Sequence, residues 1–188
     1  MAMKLNNPIA YGKYIASENI DSLNRAAIAD VEVFNGNLVT LGEMNTGVTA
    51  DAGYCFNAVP TTANTAVNVW MVREPEVPHT PCANIYIDPR AYSAKAGEAF
   101  NVFRPMPTDV IHVSNTAFAE GSDPATVSGK YVTAGANGRL IAVTSATGVA
   151  GVVFKVIGEE AIPVGQEFVP GYLLECIQNP QEALALIK

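Results

Sequence analysis

The sequence carries little charge and no long hydrophobic run. Only 15% of its 188 residues are Asp, Glu, Lys or Arg, against roughly 25% in average globular domains. Hydrophobic residues make up 49%, which is enough to fill a core and excludes a chain disordered throughout. No stretch approaches the roughly 18 consecutive apolar residues of a membrane-spanning helix, and residues 1–24 lack the apolar run of a secretory signal. We therefore expect no membrane partner.

Basic residues are scarce as well. The eleven Lys and Arg residues are scattered singly along the chain, and the formal net charge is −7. Neutralising the phosphates of DNA or RNA requires clustered Lys and Arg. The sequence therefore predicts no direct nucleic-acid partner.

Cysteine is too rare and too dispersed for the common metal and disulfide sites. Cys55, Cys82 and Cys176 are odd in number and lack CxxC spacing. They favour free, buried thiols in a reducing compartment over a disulfide framework or a zinc site. His79 stands three residues before Cys82, but no third group is placed to orient such a catalytic pair.

Motifs of the familiar enzyme classes are missing too. The sequence holds no GxSxG, HExxH, P-loop or dinucleotide-binding fingerprint. The second histidine, His112, belongs to the run 110–114, whose alternation predicts an outer or half-buried strand face rather than a general base. We expect a protein that is not an enzyme and that binds no cofactor or metal ion.

Short β-rich runs separated by Gly, Pro and Asn dominate the chain from residue 30 onward. Asn35-Gly36 and Asn137-Gly138 each stand between two such runs, and both predict a hairpin with a type I′ turn. In the run 66–73, alternation places Val69 and Met71 on one face of a strand and Trp70 on the other. Further strands are predicted at 99–104, 110–114, 151–158 and 167–177.

These signals predict an all-β fold, a β-barrel or β-sandwich body with little helix. We expect the body to span residues 29–180, with a proline-rich loop at 74–92 and a short tail at 181–188. Residues 1–28 lack a sustained period of two and are interpreted as an extended N-terminal arm, with a frayed terminus as the alternative. Within it, the spacing of Ile20, Leu23 and Ala27 predicts a short helical turn.

The order of the motifs between residues 31 and 158 resembles a known family. The motifs are VEVFNGNLVTLG at 31–42, AVP at 58–60, VWMVREPEV at 69–77, IYIDP at 85–89, GEAFNV at 97–102, GKYV at 129–132 and FKVI at 154–157. This order resembles the small auxiliary head proteins of tailed bacteriophages, which are called capsid decoration, cement or head-stabilising proteins.

The resemblance implies a non-enzymatic virion protein on the outside of the capsid lattice, made in the cytoplasm of the host bacterium. Its partners would be the major capsid protein and copies of itself, with a trimer as one arrangement. A head-fibre, vertex or tail component is an alternative. From another class, a carbohydrate- or host-surface-binding β-module would expose aromatic rings for sugars, and its candidates are Tyr54, Trp70, Tyr86 and Tyr92.

The candidate interaction residues lie in two segments, the N-terminal arm and the proline-rich loop. Extended arms suit attachment because main-chain pairing to a sheet edge demands little of the side chains. The candidates are Asn6, Tyr11, Tyr14, Ile20, Leu23 and Arg25 in the arm, and Val77, His79, Tyr86, Arg90 and Tyr92 in the loop.

Overall fold

The computed structural model describes residues 6–17, 20–45, 55–73 and 88–181. The described residues form thirteen strands and one short α-helix, α1 (Pro124–Val127). The strands are β1 (Ala10–Tyr14), β2 (Asn24–Ile28), β3 (Leu38–Met44), β4 (Phe56–Pro60), β5 (Val69–Val72), β6 (Ala99–Phe103), β7 (Val110–Ser114), β8 (Tyr131–Ala134), β9 (Leu140–Val143), β10 (Val153–Glu159), β11 (Ile162–Val164), β12 (Glu167–Val169) and β13 (Gly171–Gln178). The all-β prediction is confirmed. Within the described ranges, no helix is both long and apolar enough to cross a membrane.

Five strands close into a barrel in the order β2-β4-β3-β5-β6. The β2–β4 pair is parallel, and the other pairs are antiparallel. Side chains that alternate inward along these strands, such as Val39, Trp70 and Phe100, form the barrel core. Closure leaves none of the five strands with an unpaired edge.

The second layer is a six-stranded antiparallel sheet in the order β1-β7-β13-β10-β8-β9. One face of the sheet packs against the barrel, and their shared core includes Ile111, Phe154 and Leu174 from the sheet. The hairpin β11–β12 covers part of the other face, where Ile162 and Val164 pack on Ile9.

Strand β5 joins the two cores, as its alternation predicts. Val69 and Met71 belong to the core shared with the sheet, whereas Trp70 and Val72 point into the barrel. All four side chains are buried. The strands predicted at 99–104, 110–114, 151–158 and 167–177 also form, as β6, β7, β10 and the pair β12 and β13.

The interpretation of residues 1–28 as an extended arm is corrected for the segments 10–14 and 24–28. The first is β1, at the edge of the sheet and paired with β7, and the second is β2, which closes the barrel between β4 and β6. Ala10 and Ala27 are fully buried there. The small inward-facing side chains of these two strands give only a weak alternation of hydrophobic and polar residues in the sequence. The strands form because their main chains pair with neighbouring strands, and the sequence does not show this pairing. Of the predicted helical turn, only a 3₁₀ turn at Asp21–Leu23 is present.

The two Asn-Gly turns have different outcomes. Asn137 and Gly138 both have positive φ, +55° and +71°, and connect β8 to β9 as predicted. At the first turn only Gly36 has a positive φ, +78°, and residues 31–34 do not pair with β3. Because β4 and β5 already occupy both sides of β3, no side is left for that hairpin.

Candidate interaction surface

The structure brings the N-terminal segment and the end of the proline-rich loop together. The Asn7 backbone N–H donates to the Arg90 carbonyl oxygen at 3.1 Å, and the Asn7 side-chain amide donates to the Tyr92 carbonyl oxygen at 3.0 Å. Tyr11 packs half-buried on the small core beneath the hairpin β11–β12. Of the predicted interaction residues, Tyr11, Arg90 and Tyr92 therefore lie around one end of the molecule.

Arg90 makes two ion pairs, one within its own loop and one to the hairpin. Its guanidinium contacts the Asp88 Oδ2 and the Glu167 Oε2 at 2.5 Å each. The hydrogen bonds from Arg90 hold the pKa of the Asp88 carboxyl below its usual range, and both carboxylates raise the pKa of the guanidinium. Surface ion pairs contribute little stability individually, and of these two only the pair with Glu167 connects the loop to the hairpin.

The hairpin presents an aromatic ring to solvent. Its inward side chains, Ile162 and Val164, are buried, and alternation turns Phe168 outward, opposite Pro163. Phe168 is 73% exposed, and Tyr14 at the end of β1 is 72% exposed. Sequence reasoning missed Phe168 because the three-residue strand β12 is too short to show which face its middle residue takes.

Phe168 borders an acidic groove of about 350 Å³, which Glu159, Glu160 and Pro170 also line. Lys13 donates to both oxygens of the Glu160 carboxylate, at 2.5 and 2.6 Å. These hydrogen bonds hold the pKa of Glu160 below its usual range. An exposed ring beside carboxylates suits a partner surface that offers an apolar pocket with basic residues at its rim.

His112 lies beneath this groove and differs from the predicted outer or half-buried position. It is only 6% exposed, because the hairpin covers its face of β7. Its Nε2 is 2.7 Å from the Glu160 carbonyl oxygen. The histidine is thus a buried, hydrogen-bonded structural residue.

Asn6 is exposed and lines a separate groove with Asn115 and Arg139, whereas three further arm residues lie at one end of the barrel. Ile20 is exposed and Leu23 half-buried, whereas the Arg25 guanidinium lies over the rings of Phe56 and Trp70, 5.9 and 5.8 Å from their centroids. Arg25 also donates to the Asp21 and Asn24 carbonyl oxygens. It closes the barrel end rather than reaching toward solvent.

Trp70 is only 7% exposed, so its ring is not available to stack on a sugar. Tyr92, another of the aromatic candidates, is half-buried. The remaining predictions in this region fall on residues outside the described ranges: Tyr54, Val77, His79, Cys82 and Tyr86.

The buried titratable groups are held in structural contacts. Asp109, 2% exposed, accepts hydrogen bonds from the Ser17 hydroxyl at 2.5 Å and the Met106 backbone N–H at 2.8 Å. Cys55 and Cys176 are free, buried thiols, as predicted, and burial raises the pKa of Cys176 to about 12. A thiol with such a pKa stays protonated near neutral pH and is a poor nucleophile.

Metal binding has no support in the part of the chain that the structure describes. No group of three or more His, Cys, Asp or Glu side chains there could hold an ion. Comparisons with protein-family models, with curated proteins and with solved structures give no match.

Proposed function

We propose that the chain is a non-enzymatic structural protein of a tailed bacteriophage, which binds the outside of the capsid lattice and stabilises it. The exposed ring of Phe168 beside the acidic groove is the observation that carries this proposal. The resemblance of the motif order between residues 31 and 158 supports the same function.

The fold suits such a role because its parts hold one another in place. The barrel and the sheet share one core, and Arg90 and Lys13 fasten the outer hairpin and the adjoining turn to the rest of the molecule. A stiff body loses little conformational entropy on attachment. It can therefore transmit a load between neighbouring coat subunits.

The attachment surface that we propose consists of Phe168 and the groove that Glu159 and Glu160 also line. Aromatic anchors at the centre of an interface contribute most of its binding energy. The acidic rim would favour a basic coat surface and disfavour the approach of packaged nucleic acid. This surface replaces the free arm as the proposed means of attachment.

A Phe168→Ser variant tests the proposal. The probe is the phage particle from which the gene for this chain has been deleted, incubated with purified chain and recovered by sedimentation. We expect the unaltered protein to bind these particles and Phe168→Ser to bind about 30-fold more weakly, the loss typical of an aromatic hot spot. Because the side chain is 73% exposed, the variant should keep the melting temperature of the parent.

Val31→Ser serves as the matched control, since Val31 is a 49% exposed hydrophobic residue outside this surface. It should bind as the parent does. No binding by the unaltered protein would overturn the proposed function. Full binding by Phe168→Ser would overturn only the assignment of the surface.

A further inference from the structure

A polar groove of about 600 Å³ opens between the turn that follows β7, the β8–β9 turn and the start of α1. Sites for small ligands have volumes of roughly 300–1,000 Å³, so the groove is large enough for one. None of its residues belongs to the attachment surface proposed above. The side chains that determine its chemistry are Asn6, Asn115, Glu120, Asp123, Asn137 and Arg139.

Three asparagine amides around this groove have no partner within the described part of the chain. Asn6, Asn115 and Asn137 are exposed, and none of the described residues hydrogen-bonds to their side-chain amides. Each amide offers two donors and an acceptor. The exposed carboxylate of Glu120 is likewise not engaged by any described residue and adds an acceptor. The groove therefore presents donors and acceptors side by side.

The walls of the groove are held in place by contacts between the two turns and the barrel. The Arg139 Nη1 donates to the Thr116 carbonyl oxygen at 2.6 Å, and its guanidinium lies 5.3 Å from the centroid of the Phe34 ring. In the β8–β9 turn, the Gly138 backbone N–H donates to the Thr61 carbonyl oxygen at 2.9 Å. A ligand would thus meet groups on a fixed backbone, and little conformational entropy would be lost on binding.

The sheet edge beside the groove is closed to an added peptide strand. Strand β9 is the last strand of the sheet, but the segment 118–122 already bonds to its outer side. The Ala119 N–H donates to the Leu140 carbonyl oxygen, and the Ala142 N–H donates to the Ser122 carbonyl oxygen, both at 2.8 Å. A peptide that extends a sheet requires free main-chain groups on the edge strand. A ligand of this groove must therefore be recognised by side chains.

The charges around the groove disfavour a strongly charged ligand. Glu120 and Asp123 would repel an anion, whereas Arg139 would repel a cation. A sugar hydroxyl is uncharged, and it both donates and accepts hydrogen bonds. Neighbouring hydroxyls of a sugar ring therefore match the mixture of amide, carboxylate and guanidinium groups found here.

We propose that this groove binds a neutral oligosaccharide, whose hydroxyls hydrogen-bond to the Asn115 and Asn137 amides and to the Glu120 carboxylate. Phe118 also lines the groove but is only 5% exposed. Hydrogen bonds, rather than stacking on a ring, would therefore hold the sugar. Because each such bond contributes little net free energy in water, we expect dissociation constants in the millimolar range.

Nuclear magnetic resonance titration of the isotope-labelled full chain tests this proposal without any capsid. The probes are maltotriose, cellotriose and N,N′-diacetylchitobiose, each added to about 20 mM, well above a millimolar dissociation constant. We expect at least one of them to shift the side-chain amide signals of Asn115 and Asn137 saturably. Asn115→Ala should weaken this binding about 5- to 10-fold by removing one hydrogen-bonding group. Its melting temperature should equal that of the parent, because the Asn115 side chain is exposed.

Asn64→Ala is the matched control, since Asn64 is an exposed asparagine outside the groove, and it should bind the sugar as the parent does. No saturable shift with any of the three sugars would overturn the proposal, as would an Asn115→Ala variant that binds as tightly as the parent. Digalacturonate, whose carboxylates would meet Glu120, should bind more weakly than the neutral sugar. Equal or tighter binding of digalacturonate, or of a tetra-alanine peptide, would overturn the assigned class of ligand. Capsid attachment through Phe168 is measured separately and can succeed or fail independently.

Discussion

Gly36 and Gly97 have nearly the same backbone conformation but different surroundings. Their φ angles are +78° and +81°, a region that residues with a Cβ adopt at a cost. A Cβ on Gly36 would lie 3.3 Å from the Ala10 Cβ and 3.6 Å from the Ala117 Cβ, whereas none of the described atoms lies within 4 Å of one on Gly97. Gly36 is therefore required both by its φ and by the close packing of β1.

Replacing each glycine by valine separates these two effects. We expect Gly97→Val to lower the free energy of unfolding by about 1–2 kcal/mol through backbone strain alone. Gly36→Val should cost about 1–3 kcal/mol more, because its branched side chain also displaces Ala10 or Ala117. Denaturant titration of both variants measures the difference. Equal losses would contradict the close packing of β1 on this turn.

Arg25 shows how a single residue can take a role that its sequence context does not indicate. Its position in the predicted N-terminal arm made Arg25 a candidate for binding. In the structure it lies on the inward-facing row of β2, with its guanidinium over two aromatic rings. Which side chains of β2 face inward can be recognised only once the pairing of β2 with β4 and β6 is known.

At the scale of elements, the short helix α1 depends on the cap at its N-terminus. The Asp123 Oδ1 accepts from the backbone N–H groups of Ala125 and Thr126, and its Oδ2 accepts from the Thr126 hydroxyl at 2.5 Å. Oδ1 also accepts from the Tyr172 hydroxyl at 3.1 Å. These bonds, led by that of the Thr126 hydroxyl, hold the pKa of Asp123 below its ordinary value of 3.8.

Because folding lowers the pKa of Asp123, its ionised carboxylate stabilises the folded protein at pH values above the pKa that Asp123 has in the unfolded chain. This stabilisation is lost as the pH falls through the lower pKa that Asp123 has in the folded protein. We expect Asp123→Asn to keep the cap at pH 7 and to lose this contribution to the pH dependence below about pH 4. Asp123→Ala should cost about 1–2 kcal/mol at pH 7. The free energy of unfolding measured from neutral to acid pH tests both, and an Asp123→Asn profile as steep as the parent's would contradict the assignment.

The elements that sequence reasoning found are those with strong local signals. Alternation located β5 and assigned Val69 and Trp70 to opposite faces, and Asn137-Gly138 fixed the hairpin of β8 and β9. The strands β1 and β2 were missed because Ala, Gly and Arg, rather than large apolar residues, occupy their inward positions. The hairpin at Gly36 was wrong because turn residues indicate a reversal of the chain but not which strands pair beyond it.

The candidate surface could be predicted only in part, because it also depends on which elements pack together. Arg90 and Tyr92 were expected to lie in a contact region, and the structure brings their backbone carbonyls to Asn7. Phe168 was not found, because its exposure depends on how the hairpin β11–β12 sits on Ile9. Long-range packing of this kind leaves no mark in the local pattern of a three-residue strand.

At the scale of the whole molecule, the barrel and the hairpin β11–β12 pack on opposite faces of the six-stranded sheet. The hairpin end is acidic and aromatic, with Phe168 at the groove. The surface proposed for attachment therefore lies on the side of the sheet away from the barrel. This arrangement is the basis of the proposed function.

The copy number of the chain in purified phage particles tests the proposed role in the capsid most directly. Quantitative mass spectrometry would scale the amount of this chain to that of the major coat protein in the same sample. We predict a ratio of about one per coat subunit, since a protein bound across the whole lattice follows its symmetry. A few copies per hundred coat subunits would indicate a vertex, fibre or tail component instead, and absence from the particles would contradict a role in the virion altogether.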